Sequence, residues 1–303
     1  MAGISAAYQP SRSVPRNVSE FYSAILELVC RTSTRLPEDV ETALQRAAVR
    51  EPGSSVGAAV MKSILDNLAL ARQRNLPLCQ DTGTIHFFVE APDDFPRRRF
   101  QEDARRAVVA ATARGLLRQN CVDSVSGRNT GNNLGYVNPA FHWMESDRTG
   151  QTAGITLLLK GGGSENVGRQ YTLPDSALGA GRDLEGVRKC VLDAVYSAQG
   201  MGCAPGILGV AIGGDRAGGC EEAKLQLLRP LGSVNPVPEL AKLEQALLEQ
   251  CNALGIGPMG LGGKSAVLGV NIGARTRHPA SYFVTICYNC WCLRRRTIEL
   301  NYA

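Results

Sequence analysis

Thr152-Ala153-Gly154-Ile155-Thr156-Leu157-Leu158-Leu159-Lys160-Gly161-Gly162-Gly163 divides a 303-residue chain into two parts of different texture. Thr152 to Leu159 has the length and apolar character of a strand, and the three glycines stop it. Upstream, the first part of the chain reads as helix. From Val18 to Arg31, Pro37 to Arg50 and Ser55 to Arg74, apolar residues recur at helical spacing, as in Phe21, Ile25, Leu26 and Val29. Ser54 or Ser55 is expected to cap the third of these helices. After Pro77, Ile85 to Val89 is β-prone, Phe100 to Leu117 returns to helix, and 121–150 is dense in Asn, Gly and Ser, hence mostly loop. Downstream of the glycines, Glu185 to Gln199, Glu222 to Leu228 and Pro238 to Leu254 are expected helices. Ile207 to Ile212, Ala266 to Ile272, Tyr282 to Cys287 and Thr297 to Asn301 are expected strands. With no internal repeat visible, the pattern implies an α+β fold, a helical N-terminal region packed on a mixed β-sheet domain with flanking helices. Residues 1–17, rich in Ser, Pro and Ala, read as a flexible lead, and 18–303 as the folded domain.

Composition narrows the function classes. A hydrophobic content of 44% supports a full core. The net charge of +5 is dispersed, without a long basic run or interleaved aromatics, so neither nucleic acid nor a membrane surface is an expected partner. No segment approaches the roughly 18 consecutive apolar residues of a spanning helix, and the lead carries no signal-peptide core, so a cytoplasmic protein is expected. Its ten cysteines are then thiols in a reducing compartment, where metal binding or catalysis is the alternative to disulfides. Arg294-Arg295-Arg296 is the densest basic cluster. It reads either as a solvated patch or, because it follows Cys290 and Cys292, as a group facing an anion.

Three cysteines lie in turn contexts. Cys79 opens Cys79-Gln80-Asp81-Thr82-Gly83, Cys203 lies in Gly200-Met201-Gly202-Cys203-Ala204-Pro205-Gly206, and Cys290 follows an expected strand. Loops leaving one edge of a scaffold can bring such thiols together. Their long separations do not fit a zinc ribbon, and spacing alone leaves ordinary buried thiols as an open alternative. Asp81 could be an Asx-turn residue, Arg118 a helix-end charge and His278 a loop residue; His86 and His142 read as structural. The triglycine lacks the spacing of a phosphate-binding loop.

Six strings occur in order: LCQDTG from Leu78, KGGGSEN from Lys160, Gly202-Cys203-Ala204-Pro205-Gly206, Gly257-Pro258-Met259-Gly260-Leu261-Gly262-Gly263, Arg277-His278-Pro279-Ala280-Ser281, and Cys290-Trp291 followed by Arg294-Arg295. Together they resemble the alpha-subunit pattern of the class I fumarase and L-tartrate dehydratase family over nearly the whole chain. The resemblance implies a 4Fe-4S cluster held by three cysteines, here Cys79, Cys203 and Cys290, with one iron not ligated by protein. Cys287 and Cys292 stand close enough in sequence to Cys290 to be alternatives. It further implies that Gln80 and Asp81 contact substrate, Asp81 as general acid or holder of a hydroxyl. Arg118 would pair with a substrate carboxylate, Gly161, Gly162 and Gly163 would let backbone approach the substrate, and His278 would be catalytic.

The implied activity is hydro-lyase chemistry on a small dicarboxylate. Fumarate hydration to L-malate is expected first, because KGGGSEN is closer to the fumarase strings, and L-tartrate dehydration second. A non-catalytic, cluster-bearing regulatory subunit is the reading from another class, and intact Gln80, Asp81, Arg118 and His278 speak against it. The catalytic base, a threonine in that family, is expected on a separate beta subunit together with further substrate contacts.

Overall fold

Two four-stranded sheets, in the orders β2-β1-β3-β8 and β4-β7-β5-β6, organise the computed structural model, which describes residues 20–302. The lead expected over 1–17 lies outside the described residues. The strands are β1 (Thr84–Glu90), β2 (Ala140–Met144), β3 (Thr152–Lys160), β4 (Arg169–Thr172), β5 (Gly206–Gly213), β6 (Val267–Arg275), β7 (Phe283–Asn289) and β8 (Arg294–Asn301). The helices are α1 (Glu20–Thr34), α2 (Glu38–Arg50), α3 (Val56–Arg74), α4 (Arg97–Ala113), the single turn α5 (Gly162–Glu165), α6 (Leu184–Ala198), α7 (Arg216–Gln226) and α8 (Pro238–Ala253). Ser55 caps α3, its Oγ accepting from the Ala58 amide at 3.0 Å, and Asp183 and Asp215 cap α6 and α7 in the same way.

Both sheets are mixed, as expected, but there are two of them, and they share one plan. In the first, β1 runs parallel to β2 and antiparallel to β3, which is antiparallel to β8. In the second, β5 runs parallel to β6 and antiparallel to β7, which is antiparallel to β4. The last strand of each set is exchanged: after β3 the chain crosses to pair β4 with β7, and after β7 it crosses back to pair β8 with β3. This duplicated plan carries no sequence repeat, because it resides in strand direction and pairing, which hydropathy does not record.

The strand period of two divides the core into layers. Ile155, Leu157 and Leu159 of β3 pack with Phe87, Phe100, Ala104 and Val108 under α1 and α4. Leu208, Val210 and Ile212 of β5 pack with Val187, Val191, Leu243 and Leu247 under α6 and α8. The alternate residues, Phe88 and Leu158 of one sheet and Ile207 and Ala211 of the other, meet in a third core with α2, α3 and α7 between the sheets. No helix among the described residues is long and apolar enough to cross a membrane.

Candidate active site: cysteine loops at one end of both sheets

The strand directions bring three loops to one end. The loop ahead of β1 carries Cys79 and Asp81, the loop ahead of β5 carries Cys203, and the crossing from β7 to β8 carries Cys290. The crossing from β3 to β4, which begins at Gly161, leaves from the same end. Cys79 is anchored through the preceding residue: the Leu78 amide donates to the Ser33 carbonyl at 2.9 Å, and Asn67 Nδ2 donates to the Leu78 carbonyl at 3.0 Å. The Trp291 amide donates to the Cys203 carbonyl at 3.4 Å, tying the second and third loops together. Cys203 itself sits at φ 54°, a left-handed conformation that costs a non-glycine residue on the order of 1 kcal/mol. Its neighbour Gly202 packs against the Tyr288 ring so closely that a Cβ would stand 2.4 Å from a ring carbon.

The thiols sense one another. Burial raises the Cys290 thiol to about 11, the Arg294 guanidinium pulls it down, and Cys79 and Cys203 push it up again. Cys203 is raised by burial, then by Cys79 and Asp81. Cys287 stands apart: burial raises it to about 11, but its charged neighbours are Lys160, Glu165 and Lys224 rather than the other two loops. Cys292 is raised by burial and is enclosed, although it too feels Arg294, Cys290 and Cys79. Cys290 is half-buried and Cys203 exposed, so both keep an accessible face.

Asp81 is clasped between two segments. Oδ1 accepts from the Gly83 amide at 2.9 Å, the Asx turn read from sequence, and Oδ2 accepts from the Gly163 amide at 3.2 Å. Gly83 has φ 79°, and a Cβ there would lie 2.3 Å from the Lys160 carbonyl oxygen, so the approach of this turn to β3 requires glycine. The triglycine is different. A Cβ on Gly163 would meet nothing within 4 Å, and one on Gly161 would stand 3.4 Å from Asp81 Oδ2, 3.5 Å from Ser164 Oγ and 4.0 Å from Arg294 Nη2. The bare face of Gly161 is therefore ringed by three polar groups rather than filled. Beneath it, buried Lys160 donates to Ser164 Oγ at 3.0 Å and pairs with Glu165 at 2.8 Å, and Lys224 joins Glu165 at 3.1 Å.

Arg118 lies beyond α4, which ends at Ala113 rather than reaching Leu117, so it is a loop residue and not a helix-end charge. Its exposed side chain has no hydrogen-bond partner among the described residues, and Gln80 is likewise exposed. The Arg118 backbone is fixed by residues that motif reading missed. Buried Thr82 Oγ1 accepts from the Arg118 amide at 3.2 Å and from Asn120 Nδ2 at 3.1 Å. Buried Asn133 donates to the Arg118 carbonyl at 2.7 Å and to Thr112 Oγ1 at 2.9 Å, and accepts from the Asn120 amide at 2.8 Å.

The structure does not bring His278 to this cluster. It follows β6, whose other end adjoins the start of β5, so a full strand, about 25 Å, separates it from Cys203. Its contacts are local: Nδ1 accepts from the Ala280 amide at 3.1 Å. The Arg294-Arg295-Arg296 run is not a solvated patch either, since Arg294 and Arg295 are buried. A groove of about 930 Å³ that Arg295 helps to line contains none of these site residues, and its lining Arg295 is already paired with Asp39 and its Glu244 with Arg229.

A family model described as fumarate hydratase (Fumerase) matches residues 22–299 of the chain. The chain belongs to that family. It is 42% identical over 287 residues to the protein named "Putative fumarate hydratase class I" of Geobacillus stearothermophilus, a match covering 94% of this chain and 55% of that protein. It is 35% identical over 285 residues to L(+)-tartrate dehydratase subunit alpha of Escherichia coli K12, covering 94% of this chain and 92% of that subunit. The chain thus spans about half the length of the first relative and most of the second. In this Fumerase-family chain, no three His, Cys, Asp or Glu side chains among the described residues converge tightly enough for a single metal ion. Three thiols, one on each of three loops that meet at one end of the sheets, suit instead a polynuclear iron-sulfur group whose irons each take one thiolate. The polar ring around bare Gly161 and the buried, unpartnered nitrogens of Arg294 also fit a bound anionic group.

Proposed function

We propose that this chain is the cluster-bearing alpha subunit of a 4Fe-4S-dependent hydro-lyase in the cytoplasm, acting on a small dicarboxylate, with fumarate hydration to L-malate as its reaction. The observation that carries this reading is the meeting of the Cys79, Cys203 and Cys290 loops beside Asp81 and the open backbone of Gly161, Gly162 and Gly163. When bound through three thiolates, the cluster supplies an iron free of protein ligands, a Lewis acid worth several kcal/mol toward a substrate oxygen. The chain's own groups do the rest. Asp81, its carboxylate held by two backbone amides, is placed to hold or transfer a proton at the substrate hydroxyl. Arg118 offers an exposed guanidinium whose fork matches a carboxylate, on a backbone fixed by Thr82 and Asn133. Gln80 contacts the substrate, and the triglycine admits it to the backbone.

A separate beta subunit completes the site with the base and further cationic contacts. His278 stands too far from Cys203 to act on its own chain's cluster, so the catalytic role implied for it would be exercised at a site shared with another chain. L-tartrate dehydration is the second reading, favoured by the match along 92% of a tartrate dehydratase alpha subunit. Anaerobic reconstitution tests the proposal: the wild-type chain should take up a cluster seen by its visible absorption and iron content, and Cys79→Ala, Cys203→Ala and Cys290→Ala should each lose it. Retention of a full cluster in all three variants would refute the ligand set. Turnover should require a co-expressed beta subunit, and rates on fumarate, mesaconate and L-tartrate then rank the substrates.

A further inference from the structure

Arg294 is the largest side chain that is fully buried among the described residues, and its Nε and Nη1 have no hydrogen-bond partner. Its neighbour shows how unusual this is. Arg295, on the opposite face of β8, donates Nε to the Leu227 carbonyl at 2.9 Å and Nη2 to the Arg229 carbonyl at 3.1 Å, and pairs with Asp39. Arg296 has one buried nitrogen without a partner, Nε, and is half-exposed, so water reaches the rest of its guanidinium. A guanidinium withdrawn from water without a counter-ion costs several kcal/mol, so a fold retains one only where something else compensates it. Nothing among the described residues does, because Arg294 forms no ion pair there, not even with nearby Asp81.

What it faces is the cysteine site. Nη2 borders the bare face of Gly161 together with Asp81 and Ser164, and Arg294 opens β8 directly after the crossing that carries Cys290. Three thiolates outweigh the charge of an oxidised 4Fe-4S core and leave a net anionic group in this position. We propose that Arg294 is the buried counter-cation of the cluster, a positioning residue whose charge sets its reduction potential. This rests on the functional reading above. A fixed positive charge beside the cluster favours the reduced form, so its removal drives the potential more negative.

Two measurements on the full chain test this. In anaerobically reconstituted protein, Arg294→Lys should keep a midpoint potential near wild type, while Arg294→Gln shifts it to more negative values at equal iron and sulfide content. In cluster-free protein, Arg294→Met should melt at a higher temperature than wild type, because an uncompensated buried charge has been replaced by an apolar chain. An unchanged midpoint in Arg294→Gln overturns the proposal. So does a lowered melting temperature in cluster-free Arg294→Met, which would mark the arginine as structural. If Arg294→Gln fails to hold a cluster while Arg294→Lys holds it, the charge is needed for retention and the proposal stands. If wild type takes up no cluster, the functional reading fails, and the melting comparison still decides whether Arg294 is an uncompensated charge.

Discussion

The two ends of the paired sheets are built on opposite principles. At the far end, the loop between β6 and β7 closes on itself: Arg277 donates to the carbonyls of His278, Pro279 and Ser281, and Arg182 spans the carbonyls of Leu173, Pro279 and Ala280. At the cysteine end, the exposed Arg118 and Gln80 side chains have no hydrogen bond among the described residues, Arg294 has buried nitrogens without a partner there, and Cys203 and Met259 hold left-handed backbone. Stability alone would favour satisfaction at both ends. On the proposed reading, the unsatisfied end is where a second component is accommodated, and both exchanged strand crossings pass through that end.

The comparison is broken most forcefully at Asp81. On the proposed reading, Asp81→Asn should lower kcat/KM of the assembled enzyme by about 10²–10⁴-fold while cluster content stays at the wild-type level. Full activity in that variant would remove Asp81 from the chemistry. Next comes the support beneath the triglycine. Lys160 is fully enclosed and relies on Glu165, whose carboxyl is pushed up by burial but held below its usual range by Lys160 and Lys224. Glu165→Ala leaves the buried ammonium with Ser164 alone. It should cost about 3 kcal/mol in chemical denaturation, the lower end of the range for a broken buried pair because Glu165 is half-exposed. An effect below about 1 kcal/mol would mean that Lys224 and water already screen the pair.

What the sequence could and could not tell follows from how far apart the interacting residues lie. The helices and most strands were legible because their period is local, and Ser55 was legible as a cap because its partner is Ala58. β4 escaped because Arg169-Gln170-Tyr171-Thr172 has no apolar alternation of its own and exists through pairing with β7. The separation into two sheets escaped because pairing is decided between residues far apart in sequence, from His86 with Ala140 to Thr152 with Asn301. Ordered motifs marked the cysteine loops, Asp81 and the triglycine. Thr82 and Asn133 were missed because their partners lie 36 and 15 residues away at Arg118, and composition shows Asn133 only as one more loop asparagine. The arginine run suggested an anion-facing role without distinguishing Arg294, enclosed and unpaired, from Arg295, enclosed and satisfied.

Asn133 sharpens the contrast at intermediate cost. Its three hydrogen bonds hold the Arg118 loop, so Asn133→Ala should destabilise the chain by about 2 kcal/mol and raise KM for the dicarboxylate by a larger factor than it lowers kcat. A variant with wild-type KM would show that the Arg118 loop orders without it. The interior beneath this end also predicts an acid response. His86 donates or accepts at Thr84 and His142, both at 3.0 Å, and its pKa is lowered from 6.5 to about 3 by burial first, then by Lys224 and His142. The unfolded chain binds the proton near 6.5 and the folded chain does not, so this contribution to stability is complete above pH 6.5. It is lost as pH falls toward 3, at on the order of 1.4 kcal/mol per unit, and His86→Gln should flatten that part of the stability profile.

The smallest effect is expected at the far end, where it is the most diagnostic. His278 is exposed, accepts one hydrogen bond from the Ala280 amide, and belongs to a loop held independently by Arg182 and Arg277. His278→Ala should therefore change the stability of the isolated chain by less than about 0.5 kcal/mol and leave its cluster uptake at wild-type level. Those two null results would separate structure from function at this position. If turnover of the assembled enzyme then falls, the histidine serves a site built with another chain. If cluster uptake itself falls, the cysteine end and the far end communicate within one chain, and the division between an open end and a self-satisfied end is wrong.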